Sequence, residues 1–187
     1  MPAHVTPDQL CRRLDELGLS TRRFDHEAVF TVAESHDLHE TMPGLHSKNL
    51  FLKDKKGRLF LVSARQSAQI DLKRLHEVVG ASGRLSFGSA ELLLETLGVT
   101  PGSVTAFAVI NDMQNDVTLV LDSGLMSGET LHFHPLINTA TLAIGRDEML
   151  TFLTTTAQET RLVEYPGPRD GQIACSSPYK AGLRTSR

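Results

Sequence analysis

The sequence predicts an α+β fold: a single domain in which a mixed, largely antiparallel sheet is flanked by helices. Three observations carry that expectation. The chain has 187 residues, 40% of them hydrophobic, which suits one compact core. Short alternating apolar runs are joined by tight turns and interrupted by helical stretches, an order that fits strands and helices packed in layers. Neither GxGxxG nor GxxxxGK followed by Ser or Thr occurs, which disfavours a doubly wound nucleotide fold. With no tryptophan and only 5% aromatics, Leu, Val, Ile and Phe must supply most of the buried area.

The first helix is announced by Thr6-Pro7-Asp8-Gln9: threonine as N-cap, proline at the first helical position, glutamine three residues after the cap. Leu10, Leu14 and Leu17 then share one face, and Gly18 closes the helix. A short strand follows over 21–25, then a helical turn near 32–38. Residues 50–63 read as a hairpin, two alternating runs about an exposed polar turn, Asp54-Lys55-Lys56-Gly57. Asp71 caps a helix that turns Leu72, Leu75 and Val79 inward and ends at Gly80. A helix over 90–97 presents Leu93, Leu94 and Leu97 and stops at Gly98. The nearly unbroken apolar run 105–110 predicts a central strand buried on both faces. Strands over 117–121, 130–134 and 139–144, a helix over 146–153 and a last strand over 161–165 complete the domain, 1–165. Residues 166–187 are rich in Gly, Pro and Ser and predict a flexible tail.

Composition excludes several classes. A net charge of -3 gives no global attraction to nucleic acid, so any RNA contact must be local or confined to an RNA end. Cys11 and Cys175 show no CxxC spacing, which argues against both a disulfide framework and a thiolate metal site. No run approaches the ~20 apolar residues that span a bilayer, so no membrane contact is expected, and a reducing cytoplasm is the expected compartment. The sequence does not fix an oligomeric state.

Two polar clusters stand out. Lys48-Asn49 is expected at the mouth of a strand, an ammonium and a carboxamide able to grip an ester carbonyl, a ribose hydroxyl or a phosphate. His132-Phe133-His134-Pro135, with Asn138 just beyond, lies far downstream, and the functional reading depends on the two clusters meeting in space. His132 and His134 share a face of their strand, yet no third ligand is tied to them by a recognised spacing, so neither metal nor any other cofactor is expected. Nucleophile motifs are absent too: Gly124-Leu-Met-Ser127-Gly128 does not centre its serine between glycines, and Cys11 has no evident base.

Four strings, in order, carry a resemblance: Pro43-Gly44-x-His46-x-Lys48-Asn49-Leu50-Phe51-Leu52; Leu97-Gly98-Val99-Thr100-Pro101-Gly102-Ser103-Val104; Ile110-Asn111-Asp112; and Phe133-His134-Pro135-Leu136-x-Asn138-x-Ala140-Thr141. Together they resemble the YbaK and prolyl-tRNA synthetase editing-domain family, most of all its free-standing prolyl-tRNA editing proteins, over about residues 20–165. The resemblance implies the YbaK-like fold and a trans-acting hydrolase that removes alanine wrongly esterified to proline tRNA. It implies Lys48 and His134 as catalytic residues and Asn49, Gly102, Ser103 and Asn138 as substrate-binding ones, to which Phe30 is added as a candidate substrate-binding residue. Backbone donors at Gly102 and Ser103, or a loop near Gly128, would face the aminoacyl end. Two departures are visible: His26-Glu27-Ala28 replaces a proline pair, and Gly128-Glu-Thr-Leu-His132 puts histidine where the family's Gly-x-x-x-Pro loop has proline.

The expected partners are the acceptor end of tRNA(Pro) carrying alanine and, with it, prolyl-tRNA synthetase. Val29, Phe30 and Leu50 are candidate pocket walls, and Lys53, Lys55, Lys56 and Arg58 a candidate phosphate-binding patch. The same residues leave a second reading open: a non-catalytic module that binds a tRNA end or a synthetase.

Overall fold

A computed structural model describes residues 4–28, 41–156 and 160–165. Elements follow in the order α1 (Pro7–Glu16), β1 (Thr21–Asp25), β2 (Leu45–Lys53), β3 (Leu59–Arg65), α2 (Leu75–Val79), β4 (Ser86–Phe87) and α3 (Ala90–Leu97). A 3₁₀ helix (Ala106–Asn111), β5 (Val117–Asp122), β6 (Thr130–Phe133), β7 (Ala140–Gly145), α4 (Arg146–Thr156) and β8 (Thr160–Val163) complete it. The expected turn near 32–38 and the expected tail, 166–187, lie outside the described residues.

The strands form one mixed sheet in the order β1-β7-β6-β2-β3-β5-β8, with β4 beside β2. Pairing is antiparallel for β1 with β7, β6 with β7, β2 with β3 and β2 with β4, and parallel for β2 with β6, β3 with β5 and β5 with β8. β2 is the seam. Its first residues pair with β6, Leu45 opposite Leu131 and His46 opposite His132, and from Ser47 onward it pairs with β3.

Strand alternation sends side chains to two cores. On one face Phe51, Leu61, Leu119, Leu131, Phe133 and Leu142 pack against α1, α3, α4 and the 3₁₀ helix. Phe107 lies at its centre, edge-on to Phe133 and Phe152 at 5.6 and 5.1 Å between ring centroids. On the other face Leu52, Phe60, Val62, Ala64 and Val120 pack with Ile70, Leu75 and Val79 in a smaller core.

Local signals explain most boundaries. Thr6 and Gln9 close the expected capping box on α1, and Gly18, Gly80 and Gly98 take the left-handed conformation after α1, α2 and α3. Four expectations are corrected. The run 105–110 is no strand: Ala106 to Val109 are all buried, and Thr105 Oγ1 accepts the Phe107 N–H, starting a 3₁₀ helix. Apolarity on every side fits a buried helix as well as a buried strand. α2 begins only at Leu75, because Asp71 instead closes a turn, its carboxylate accepting the Lys73 N–H and its carbonyl the N–H groups of Arg74 and Leu75. Leu94 is 48% exposed rather than inward. The hairpin turn is exposed except at Asp54, which is buried: its carboxylate accepts the N–H groups of Lys56, Arg58 and Ser82 and the Arg58 guanidinium.

Candidate functional site

Lys48 and Asn49 stand inside β2 rather than at its mouth, since the strand begins at Leu45. With no bulge in the β2–β3 register, consecutive residues leave by opposite faces, so the ammonium and the carboxamide are not side by side. Asn49 faces the larger core, where its carbonyl accepts the hydroxyl of fully buried Ser63 and its amide reaches Ser47 Oγ at 3.3 Å. Half-buried Lys48 shares the face of Leu50 and Leu52 and donates to the Ala68 carbonyl. Burial lowers the pKa of Lys48, and the charge of Asp122 opposes that shift.

The same register carries β2 towards the histidines. His46 lies opposite His132 across the parallel pair, and their rings stack at 4.2 Å with 5° between planes. His132 is buried at 2% exposure, and burial, followed by the neighbouring His46, lowers its pKa to about 4. Gly44 makes the stack possible: a Cβ there would sit 2.8 Å from His132 Cε1. Two residues beyond each member of the pair come Lys48 and His134. Alternation sends Lys48 to the face of His46, but the pairing itself ends at His46 and His132, because β6 stops at Phe133 while β2 runs on.

His134 is half-buried, and its Nδ1 lies 3.1 Å from the Ala140 carbonyl. A carbonyl cannot donate, so Nδ1 carries the proton. Burial lowers the pKa of His134, with His26 adding to the effect and the Ala140 bond opposing it. The ring is therefore neutral at neutral pH, with Nε2 an acceptor. His26 stands 6.5 Å from it between centroids, held by Glu27 and by Thr141 Oγ1.

The loop after His134 brings in two more expected residues. A Cβ on Gly102 would lie 3.6 Å from Asn138 Nδ2, so the Thr100–Ser103 turn and the 135–139 loop meet. Leu136 anchors that loop: its side chain is buried although its backbone is left-handed, at φ 66°, a strain of about 1–2 kcal/mol that burial must offset. The Ser103 N–H is not available to a ligand, because it donates to the Thr100 carbonyl at 2.9 Å, and the Gly128 N–H is likewise taken by Leu125. Exposed Gly102 has no such backbone bond among the described residues. Phe30 and Val29 lie outside the described residues. Arg58 is engaged by Asp54, the Gly80 carbonyl and Ser82, which reduces the basic patch to the exposed Lys53, Lys55 and Lys56.

The structure thus puts Lys48 two residues past the His46–His132 pair on β2 and His134 just past the end of β6, brings Gly102 against Asn138, and sends Asn49 to the other face. Sequence reading missed Asp122, whose signal was a carboxylate ending the apolar run 117–121, and the His46–His132 stack, whose signal was His46 two places before Lys48. Among the described residues no group of three or more His, Cys, Asp or Glu can hold a metal ion, and no helix is long and apolar enough to cross a membrane.

A single domain with a mixed sheet flanked by helices is the architecture of an editing-domain fold. The chain belongs to the aminoacyl-tRNA editing domain family, whose sequence profile matches residues 26–152. It is 37% identical over 158 residues to the prolyl-tRNA synthetase associated domain-containing protein 1 of Bos taurus, covering 82% of this chain and 92% of that one. It is 35% identical over 138 residues to the prolyl-tRNA editing protein ProX of Acetoanaerobium sticklandii, covering 73% and 84%. A solved structure described as a trans-editing enzyme for prolyl-tRNA synthetase shares the fold at a TM-score of 0.63 and 17% identity, over 88% of this chain and 100% of that one.

Proposed function

We propose that this protein is a trans-acting aminoacyl-tRNA deacylase that hydrolyses alanine mischarged onto tRNA(Pro), using a positioned water and no metal. The observation that carries the reading is the pairing of His46 with His132 across β2 and β6, two residues short of Lys48 and His134, in a chain of the editing-domain family. The names of its relatives support the choice of proline tRNA.

An aminoacyl ester is already activated, so the site has to place water, steady the developing oxyanion and hold the terminal ribose. Lys48 supplies positive charge beside the ester or ribose oxygens. The Gly102 N–H, exposed and beside Asn138, is the backbone donor for the carbonyl oxygen, and Asn138 holds the substrate next to it. His134, with Nδ1 fixed on Ala140, turns Nε2 as an acceptor towards the attacking water or the ribose hydroxyl. Asn49 acts from the far face, fixing β2 through Ser63. A proline-shaped synthetase pocket cannot strongly reject the smaller alanine, whereas a small second pocket, with Leu50 and Phe30 as wall candidates, admits alanine and refuses proline. Lys53, Lys55 and Lys56 offer phosphate contacts to the tRNA body.

The test is a deacylation panel: alanine, serine, cysteine and proline on tRNA(Pro), and alanine on its own tRNA, with and without chelator. Alanyl-tRNA(Pro) is expected to be the preferred substrate and chelator to have no effect. Lys48→Ala is expected to lower kcat/KM about 100-fold or more while the thermal midpoint stays within a few degrees. Near-normal turnover by Lys48→Ala would remove the assignment. The second reading, a non-catalytic module that binds a tRNA end or a synthetase, is favoured by the association named in the Bos taurus relative; it requires tRNA or synthetase binding with no hydrolysis of any ester in the panel.

A further inference from the structure

One buried carboxylate has no part in the chemistry just described. Asp122 ends β5 at 6% exposure, and its two oxygens accept the N–H groups of Arg65 at 3.0 Å and Gly124 at 2.9 Å. A carboxylate taken this far out of water needs compensating partners, and two backbone donors do not supply a cation. The register shows where one stands. Lys48 pairs with Ala64 across β2 and β3, and the parallel β3–β5 ladder, which pairs Ser63 with Leu121, continues with Ala64 beside Asp122. Lys48, Ala64 and Asp122 therefore form one row over three neighbouring strands, about 10 Å from end to end at the backbone, with only a methyl group between the charged side chains.

The surroundings leave Asp122 as the anion for this lysine. On the same side are His46 on β2, His134 beyond β6 and Tyr165 beyond β8; Arg65, one place past Ala64, leaves β3 by the opposite face. Burial lowers both histidine pKa values and raises that of Tyr165, whose hydroxyl donates to the Val120 carbonyl, so none of these three carries negative charge near neutral pH. Arg65 is a cation. The Ala68 carbonyl accepts from the Lys48 ammonium but adds no charge.

We propose that Asp122 is a positioning residue for Lys48, its carboxylate fixed by two backbone N–H groups and holding the Lys48 ammonium on the face of β2 that also carries His46. The inference rests on the proposed deacylase reading for its catalytic meaning. Its physical content does not. Without the carboxylate, desolvation acts on Lys48 unopposed, and the ammonium loses its proton at lower pH. The ester then meets a neutral amine with no charge to offer the oxyanion.

Competitive amine labelling of the full chain across pH, read by mass spectrometry at Lys48, tests this without substrate. In Asp122→Asn the labelling pKa of Lys48 is expected to fall by about one unit. In Asp122→Glu, which keeps the charge, part of that shift is recovered. The alkaline limb of the deacylation pH profile should move to lower pH by the same amount in Asp122→Asn, a displacement that mere loosening of the fold would not produce. Unchanged Lys48 labelling in a folded Asp122→Asn variant overturns the proposal. If that variant does not fold, the unaltered protein decides: with Asp122 opposing the desolvation, Lys48 should label as an ammonium at pH 7, and a lysine already neutral there overturns the proposal. A wild-type protein with no deacylase activity on any ester would remove the functional reading and leave the labelling shift to decide this one.

Discussion

Acidification from pH 7 to pH 5 will destabilise the protein through His132. The ring is buried against Gly44 and stacked on His46, and its pKa falls from 6.5 to about 4, chiefly by burial. Because the folded value lies below the unfolded one, the unfolded chain takes the proton first. The stability contribution is therefore complete above 6.5 and is lost as pH falls towards 4. Taken whole, that shift is worth about 2 kcal/mol between pH 7 and pH 5, and about 1 kcal/mol once solvent screening on the half-exposed His46 side is allowed for. Urea unfolding at the two pH values, for wild type and His132→Phe, isolates the effect, because phenylalanine keeps a flat ring in the stack and cannot titrate. With an ordinary urea slope, the wild-type midpoint should fall by about half a molar more than that of the variant. Equal pH dependence in the two proteins would refute the reasoning, whatever their absolute stabilities.

Gly44→Ala should destabilise by about 2–4 kcal/mol, combining a strained backbone with overpacking, because φ is +134° and the new Cβ would lie 2.8 Å from both His132 Cε1 and the Thr130 carbonyl oxygen; a thermal midpoint unchanged from wild type would contradict the observed contact. Asp54→Asn should lower the thermal midpoint and release the 80–82 loop, since no amide can accept from all four donors that converge on the carboxylate. Hydrogen bonds hold the Asp54 pKa near 2, below the usual 3.8, against the opposing effect of desolvation. Its contribution is thus present above 3.8 and lost as pH falls through about 2; melts between pH 5 and pH 2 should show a steeper acid decline in wild type than in the variant.

Much of the fold was legible because its boundaries are chemically marked. The capping box at Thr6 and the glycines at 18, 80 and 98 each fix a local choice that no distant contact reverses. The start of β2 was hidden: Leu45-His46-Ser47 lacks a plain alternating pattern, because its burial comes from β6 and the His46–His132 stack rather than from apolar side chains. That gap misplaced Lys48 and Asn49 at a loop mouth. The 3₁₀ helix was lost for a different reason, since Phe107 and its neighbours are buried on every side and leave no period to read. Asp54 looked like a solvated turn residue because its partners at Gly80 and Ser82 approach only through the tertiary fold, by way of Arg58 and the Ser82 N–H. Lys48 and His134 were legible as residue types, from the family resemblance; the pairing of β2 with β6 that precedes them was not, because a parallel pairing leaves no trace in local sequence.

Since Lys48 and Asn49 are adjacent in the chain yet belong to different cores, their division of labour is set by parity alone. Removing or adding one residue between Met42 and Ser47 while β2 kept its hydrogen-bonded partners would exchange them, driving an amine into the space of Ser63 and an amide towards Asp122. Two-residue changes in that stretch would spare the arrangement, so tolerance to length at the entrance of β2 should follow an even–odd rule.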